Sequence, residues 1–252
     1  MTAILKLEGV SRRFGGLTAL SNIDLAVAPR EIVGLIGPNG AGKTTLVNVV
    51  TGVHPLTQGA VSFNGRRIER MRPYQISRLG IARTYQIVQP FPQMTVLENV
   101  MAAATFAGRR NFADARVKAL ESLDFCGLAN AADALASELT LAGRKRLELA
   151  KSMATDPKVL LLDEVNAGLS PVEIDTALDL IRRLAAGGIT VIIIEHLMKV
   201  VMTLCSRLVV LHHGAKICEG TPDAVRKDDR VIEAYLGNRY AKAQVAKEVN
   251  NA

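Results

Sequence analysis

A short segment near the start of the chain fits the pattern GxxxxGK[ST]. Its glycines allow a tight loop whose backbone N–H groups can point at one phosphate. Lys43 adds a cation, and Thr44 adds a hydroxyl that can ligate Mg²⁺. A β-branched run precedes the loop at Ile32–Ile36 and a helical stretch follows at Thr44–Thr51, so a helix N-terminus faces the same point. The segment predicts a site for a nucleoside triphosphate with Mg²⁺. Its residues are Gly37, Pro38, Asn39, Gly40, Ala41, Gly42, Lys43 and Thr44, with Thr45 directly after them.

Two apolar runs further along the chain end in side chains that suit phosphate chemistry. Val159–Leu162 is followed by Asp163 and Glu164. Ligands bind at the carboxyl ends of parallel strands, so Asp163 is expected beside the phosphate loop, where it can help to hold Mg²⁺. Side chains alternate along a strand, which predicts that Glu164 points the other way, toward an attacking water. Thr190–Ile194 is a similar run, and His196 after it is expected near the terminal phosphate. Alone, each signal also fits an ordinary strand end or a surface histidine; the phosphate loop favours the chemical interpretation.

The elements that must position these side chains change in type along the chain. From about Tyr74 to Ala154, leucine and alanine recur at helical spacing. Strand-like runs lie on both sides of this region, which predicts an α/β fold: a P-loop NTPase core with a mostly parallel sheet, an N-terminal antiparallel β subdomain and a helical insertion. The runs are residues 3–35 as short alternating strands, residues 59–68 as a hairpin turning at Asn64-Gly65, then Val159–Leu162, Thr190–Ile194 and Leu208–Leu211, with a helical stretch at Val172–Ala186.

The composition of the 252 residues favours one large domain, or a core domain with a subdomain. Hydrophobic residues make up 49%, aromatic residues only 4%, and tryptophan is absent, so aliphatic side chains must build the core. Three cysteines lie far apart without CxxC spacing, which predicts reduced thiols in the cytosol. The start lacks the apolar run of a signal peptide, and no stretch approaches ~20 apolar residues. We therefore expect that the protein does not itself cross a membrane.

The net charge of +7 is partly concentrated in one stretch. Six arginines and a single acid, Glu69, lie between Gly65 and Arg83. The stretch is either a solvated basic face or a surface that meets phosphate, an acidic protein or anionic headgroups. Nucleic acid is the less favoured partner, because neither a recognition motif nor interleaved aromatic residues accompany the charge. The arginines are Arg66, Arg67, Arg70, Arg72, Arg78 and Arg83.

In their chain order, these motifs resemble those of the nucleotide-binding subunits of ABC transporters, over almost the whole chain. The resemblance implies that ATP is the nucleotide and Mg²⁺ the metal. It places Phe14 where an aromatic ring packs on adenine, with Ala19 near that ring, and it makes Gln86 the glutamine of the Q-loop. The implied catalytic residues are Glu164, His196 and Gln86, and the implied metal ligands are Thr44, Gln86 and Asp163.

The sequence departs from that family's pattern at three places. The signature segment, usually LSGGQ, is Leu139-Thr140-Leu141-Ala142-Gly143 here, and Ala142 replaces a glycine that lets backbone approach phosphate. Val165 follows Glu164 where proline is common, and Ser170 stands at the usual aspartate of the D-loop. The resemblance implies that Thr140, Leu141, Ala142 and Gly143 contact the nucleotide of a second ATP-binding subunit.

More narrowly, the chain resembles the branched-chain amino-acid importer subfamily, in segments such as Ala167–Pro171 and Val231–Gly237. The resemblance implies a membrane permease, a second ATP-binding subunit in a homodimer or heterodimer, an external substrate-binding protein, and a location on the cytoplasmic face of the membrane. It implies an ATP-binding domain over residues 1–237, with a helical subdomain at about 87–155, and a polar tail over residues 238–252.

Other functions remain as alternatives. Urea-import and lipopolysaccharide-export ATPases share part of the resemblance, and a soluble ATP-binding regulator would have the same site. A GTPase is disfavoured because no NKxD string occurs, and a coiled-coil DNA-repair ATPase would need a larger insertion after Gln86. The segment Ile87–Met101, which includes Pro90, Phe91 and Pro92, is the predicted lining of a groove for the permease.

Overall fold

The computed structural model of the protein describes residues 3–86 and 88–236. The strands are β1 (Leu5–Phe14), β2 (Leu17–Val27), β3 (Ile32–Ile36), β4 (Gln58–Phe63), β5 (Arg66–Arg67), β6 (Ile81–Arg83), β7 (Val159–Asp163), β8 (Thr190–Ile194), β9 (Arg207–His212) and β10 (Ala215–Gly220). The helices are α1 (Lys43–Val50), α2 (Pro73–Leu79), α3 (Val96–Phe106), α4 (Phe112–Phe125), α5 (Leu141–Met153), α6 (Pro171–Ala186), α7 (Met198–Leu204), α8 (Pro222–Arg226) and α9 (Asp229–Leu236). The predicted polar tail, residues 238–252, lies outside the described residues.

An antiparallel sheet in the order β2-β1-β4-β5 forms the N-terminal part of the fold, as predicted. The expectation of short strands over residues 3–35 was wrong, because β1 and β2 have 10 and 11 residues. Their pairing shifts register between Leu7 and Val10 and again toward Phe14, which marks bulges. A bulge interrupts the alternation of buried and exposed positions, so one long strand resembles several short ones in the sequence.

The second sheet has six strands in the order β10-β9-β3-β8-β7-β6. All neighbours in it are parallel except β10, which pairs antiparallel with β9. Every residue of β7 and β8 is buried, as expected for parallel strands covered on both faces. Leu160 and Leu162 pack in the core on one face, and Leu161 packs in the core on the other face with α1 and the antiparallel sheet.

The sheet brings the ends of three strands together. Leu35 of β3 pairs with Ile194 of β8, and Asp163 of β7 pairs with the same Ile194. The phosphate loop follows β3 directly, so the two apolar runs noted in the sequence end beside it. Between β6 and β7 the described chain forms α3, α4 and α5, which is the helical insertion that the sequence predicted. No helix of the described ranges is both long and apolar enough to span a membrane.

Candidate functional site

The phosphate loop lies tightly against its neighbours at two glycines. A Cβ on Gly37 would lie 2.1 Å from the carbonyl oxygen of Leu211, and one on Gly42 would lie 2.8 Å from the carbonyl oxygen of Ala19. Both glycines have positive φ, 149° and 104°. Gly42 is the N-cap of α1 and has no side-chain hydrogen bond to the helix, so the first amides of α1 point into the loop uncapped by a side chain. That arrangement suits an anion.

Lys43 lies across this loop. Its ammonium donates hydrogen bonds to the carbonyl oxygens of Gly37 at 2.7 Å and Pro38 at 3.0 Å. Burial lowers the pKa of Lys43, while the carboxylates of Glu164 and Asp163 act in the opposite direction. Lys43, Asp163 and Glu164, which were predicted from separate parts of the sequence, therefore lie close enough for the two carboxylates to act on the pKa of Lys43.

Asp163 ends β7 and pairs with Arg83 from the neighbouring strand β6. The Arg83 guanidinium is 3.0 Å from Asp163 Oδ2, and it also donates to Asn48 Oδ1 at 2.6 Å. The two charged side chains are only 8% and 5% exposed. Burial raises the pKa of Asp163, as does Glu164, whereas Arg83 and Lys43 lower it. Arg83 is therefore a buried partner of Asp163, which corrects its assignment to an exposed basic stretch; the other five arginines of that stretch are exposed.

Glu164 is not part of the strand, contrary to the expectation from alternation. β7 ends at Asp163, and Glu164 has a φ of 48°, in the left-handed region. This turn directs the Glu164 carboxylate toward two other predicted residues. Gln86 Nε2 donates a hydrogen bond to Glu164 Oε2, and His196 Nδ1 lies 3.8 Å from Glu164 Oε1. The structure thus brings together the three residues that the sequence singled out for catalysis.

This cluster opens toward solvent on one side. The His196 side chain is 54% exposed and that of Glu164 is 21% exposed. A carboxylate that is reachable by water and held by a neighbouring amide can orient or deprotonate a nucleophile. The Asp163 carboxylate and the Thr44 hydroxyl, in the first turn of α1, are oxygen groups of the type that Mg²⁺ prefers as ligands.

The adenine position predicted at Phe14 is a half-exposed ring at the end of β1. The Arg12 guanidinium lies 4.3 Å from its centroid, and the ring is nearly perpendicular to that of His54, with the two centroids 5.2 Å apart. Ala19 has a backbone contact with the phosphate loop, and its expected place near the adenine ring stays a prediction. Its carbonyl oxygen lies against the positions where Gly42 and Gly214 would carry a Cβ, so this residue supports the phosphate loop.

The signature segment lies at the start of α5. Thr140 is the N-cap, and its hydroxyl accepts a hydrogen bond from Gly143 N at 3.2 Å. Leu141 is exposed, whereas Ala142 is buried and lines a cavity between α5 and α6 together with Leu149 and Val165. The methyl group by which Ala142 differs from glycine is therefore accommodated inside the chain. Among the described residues, no hydrogen bond joins this segment to the phosphate loop.

Ser170, the third departure from the family pattern, has a clear structural role. It is the N-cap of α6, where its hydroxyl accepts from Glu173 N and the Glu173 carboxylate accepts from Ser170 N in return. A serine satisfies this capping box as well as an aspartate would.

Sequence reasoning missed several side chains that hold the site. Each carries a polar group that contacts Asp163, its partner Arg83 or the Glu164–Ala167 turn. Glu195 could have been predicted, because a carboxylate directly after five buried residues is unusual. The other residues are recognised only from contacts between segments that are distant in sequence. They are Asn48, Arg83, Lys145, Asn166 and Glu195.

A family model described as "ABC transporter" matches residues 20–167, more than half of the chain. The chain belongs to the ABC transporter family. A second model, described as "Branched-chain amino acid ATP-binding cassette transporter", matches residues 215–241. ABC cassettes bind and hydrolyse ATP, so the chain is an ATP-binding subunit of this family.

Curated relatives support a narrower grouping. The chain is 40% identical to the high-affinity branched-chain amino acid transport ATP-binding protein LivG of Escherichia coli (strain K12), over 93% of this chain and 98% of the relative. It is 39% identical to BraF of Pseudomonas aeruginosa, a protein with the same description, over the same shares of each.

Solved structures of this family have the same fold. A nucleotide-free ATP-binding cassette from an ABC transporter superposes with a TM-score of 0.85 at 31% identity, covering 92% of this chain and 98% of that one. Another ATP-binding cassette, in its ADP conformation, gives a TM-score of 0.86 at 31% identity, covering 94% and 100%. The predicted α/β cassette with its antiparallel sheet is confirmed.

Proposed function

We propose that this ABC subunit hydrolyses ATP with Glu164 as the group that orients or deprotonates water, and that hydrolysis powers the import of branched-chain or other hydrophobic amino acids. The observation that carries the chemical part is the position of the Glu164 carboxylate between Gln86 and His196, beside Lys43. Preorganised groups of this kind act on charge as it develops, with little rearrangement during the reaction.

Each remaining group of the site has a role in this proposal. Lys43 offsets the developing charge on the phosphates, and the loop amides of residues 37–45 hold them. His196 steadies the terminal phosphate, and Phe14 packs on adenine. Thr44, Asp163 and Gln86 would hold Mg²⁺, which supplies charge neutralisation between the phosphates when bound. Since Arg83 occupies one oxygen of Asp163, that carboxylate would reach the metal through its other oxygen or through water.

The signature segment implies a second ATP-binding subunit. Thr140, Leu141, Ala142 and Gly143 lie at the start of α5, a 13-residue helix whose N-terminal end suits an anion. Within the described chain they make no hydrogen bond to the phosphate loop. In the proposal they face the nucleotide held by the partner subunit, in a homodimer or in a pair with a related ATPase.

The transport part of the proposal rests on the relatives. Proteins 40% and 39% identical over almost their full length carry the description of branched-chain amino acid transport ATP-binding proteins. Coupling then requires a membrane permease, with an external substrate-binding protein acting on the permease and this subunit on the cytoplasmic face. The boundaries at residues 1–237 and about 87–155 stay predictions.

We propose that the groove for the permease lies next to the Q-loop, where only part of the predicted lining segment is exposed. Val96, Val100 and Met101 of the predicted segment are buried in the core, Phe91 is exposed, and Ile87 lies outside the described residues. An open cavity lies instead between α2 and α5 and includes Tyr74, Tyr85 and Lys151. Tyr74 and Tyr85 are 51% and 52% exposed, which suits a surface covered by a partner.

The chemical proposal is tested by Glu164→Gln. In the purified transporter complex, this variant should lower ATP hydrolysis by ~10²–10⁴-fold with ATP affinity nearly unchanged, because a general base is lost while the phosphate loop is intact. Glu121→Gln, an exposed position on α4, is the matched control and should hydrolyse ATP as the wild type does. Wild-type turnover in Glu164→Gln would refute the role of Glu164.

The transport proposal needs a separate experiment. Tagged subunit is purified after mild detergent extraction and then reconstituted with its permease, and leucine, urea and lipopolysaccharide are compared as stimulators of hydrolysis. Co-purification of a permease and stimulation by leucine with its binding protein support amino-acid import. Stimulation by urea or lipopolysaccharide favours a related ABC system, and failure to co-purify any membrane protein favours a soluble regulator.

A further inference from the structure

The turn that directs Glu164 toward its partners has an unfavourable backbone conformation. Glu164 has a φ of 48°, which lies in a region of backbone conformation that residues other than glycine rarely adopt. The turn is closed by a hydrogen bond from Ala167 N to Glu164 O at 3.2 Å, and Glu164 N donates to Ile194 O at 2.9 Å. Strained residues persist where surrounding structure holds them, so the contacts on this turn matter for where the carboxylate points.

Glu195 holds the turn from the direction of β8. Its side chain belongs to a residue that is only 1% exposed, and Oε1 accepts hydrogen bonds from Asn166 N at 3.2 Å and Asn166 Nδ2 at 2.8 Å. Asn166 lies inside the Glu164–Ala167 turn and is itself 1% exposed. A carboxylate buried to this extent is costly unless hydrogen bonds and a nearby cation compensate it.

Lys145 holds the same turn from the direction of α5. Its ammonium donates to the carbonyl oxygen of Glu164 at 3.2 Å. Burial lowers the pKa of Lys145, and the strongest opposing influences are Glu195 and then Glu164. Glu195 Oε2 has no hydrogen-bond partner within the described part of the chain, and Lys145 is a nearby cation that interacts with Glu195 through its charge.

We propose that Lys145 and Glu195 are positioning residues, which clamp the Glu164–Ala167 turn from two sides and so hold the Glu164 carboxylate between Gln86 and His196. Lys145 lies four residues beyond the first residue of α5, so the clamp also joins the signature helix to the hydrolytic carboxylate of the same chain. The inference rests on the proposed function, because its role is to place Glu164 for hydrolysis.

A double-mutant cycle tests whether the clamp acts through Glu164. Lys145→Met and Glu195→Ala should each lower kcat by roughly 10–100-fold, with the dissociation constant for Mg-ATP changed by less than about threefold, since a misplaced group loses reactivity more than binding. In a Glu164→Gln background, the same substitutions should lower kcat by less than about twofold further, because their target is already removed. Lys118→Met is the control, since Lys118 is a partly buried lysine of α4 that pairs with Asp156.

Conservative variants separate positioning from folding. Glu195→Gln keeps an oxygen that can accept from Asn166, and Lys145→Arg keeps a cationic donor, so each should recover kcat to within about fivefold of wild type. Hydrogen–deuterium exchange provides a readout that does not need hydrolysis: the amide of Asn166 should exchange at least about tenfold faster in Glu195→Ala and normally in Glu195→Gln.

The outcomes distinguish this inference from the proposed function. Equal fold losses in the wild-type and Glu164→Gln backgrounds, or unchanged exchange at Asn166 in Glu195→Ala, would overturn the clamp while hydrolysis by Glu164 stands. Absence of ATP hydrolysis by the wild-type complex would instead contradict the proposed function, and the exchange measurement would still decide whether the turn is clamped.

Discussion

At the scale of single residues, Arg83 and Asp163 form an ion pair that is almost completely buried beside the phosphate loop. Two buried charges compensate each other only while both are present. Arg83 also holds Asn48, on α1 directly behind the loop, so one guanidinium connects β6, β7 and the helix that starts the phosphate site. The stability of the site should therefore depend on this arginine.

Arg83→Met should lower the free energy of unfolding by about 3–5 kcal/mol, because Asp163 would remain buried without its cation. The comparison is Arg182→Met, which removes an exposed ion pair with Asp179 on α6 and should cost about 0.5 kcal/mol or less. Urea denaturation followed by circular dichroism measures both. A cost for Arg83→Met no larger than for Arg182→Met would show that the buried pair is unimportant for stability.

The pKa of Asp163 gives a prediction with a defined sign. Burial raises this pKa above the ordinary value of 3.8, so the folded state binds the proton more tightly than the unfolded state. The stabilisation from this group is fully present below the ordinary value, and it is lost as the pH rises through the raised value. Relative to Asp163→Asn, the wild type should therefore gain unfolding free energy as the pH falls from 7 to 4. Denaturation curves of both proteins across that range measure the difference, and a loss by the wild type would mean that the pKa is lowered.

At the scale of helices and strands, α5 combines a structural cap with the atypical signature segment. The Thr140 hydroxyl caps α5 by accepting a hydrogen bond from Gly143 N, and this leaves its O–H as a donor for a partner's nucleotide. Ala142, where the family pattern has glycine, directs its methyl into a cavity within the chain. Both observations explain how the helix tolerates a segment that departs from LSGGQ.

Thr140→Ala should destabilise the protein by ~1 kcal/mol, the usual cost of losing a helix N-cap, and Thr140→Ser should restore most of it. Thr203→Ala, in the last turn of α7, is the control, because its hydroxyl donates to Lys199 O within the helix and is not an N-cap. Thermal unfolding gives the comparison. Equal changes for Thr140→Ala and Thr203→Ala would contradict the assignment of the cap.

The elements also show what the sequence could and could not predict. The phosphate loop and the runs that became β7 and β8 were predictable, because glycine spacing and continuous apolar runs are local signals. β6 was missed because it has three residues, and β10 because it lies at the sheet edge with partly exposed residues. The burial of Arg83 and the contacts of Lys145 and Glu195 depend on pairings between segments far apart in sequence, which a local pattern does not contain.

At the scale of the whole molecule, the site exists because strand order differs from chain order. β3, β7 and β8 are far apart along the chain but adjacent in the sheet. The phosphate loop, two carboxylates and a histidine follow these strands, so they lie together at the carboxyl end of the sheet. The helical insertion leaves this sheet after β6 and returns at β7, so Gln86 stands where the two parts join. A nucleotide bound at the carboxyl end of the sheet would contact loops from several strands at once, and it would therefore stabilise the fold as a whole.

Mg-ATP at about 100 times its dissociation constant should stabilise the protein by ~2.7 kcal/mol, which corresponds to a rise in thermal midpoint of roughly 5–10 °C for a domain of this size. Removing Mg²⁺ with a chelator should reduce the rise in the wild type, because phosphates without the cation face Asp163 and Glu164 unscreened. Lys43→Met should abolish most of the rise with or without the metal, since its ammonium is the cation fixed over the loop. Differential scanning fluorimetry, with and without chelator, measures all four conditions. An equal rise in Lys43→Met and wild type would mean that ATP binds somewhere other than the phosphate loop, and an unchanged rise after chelation would remove the metal from the binding step.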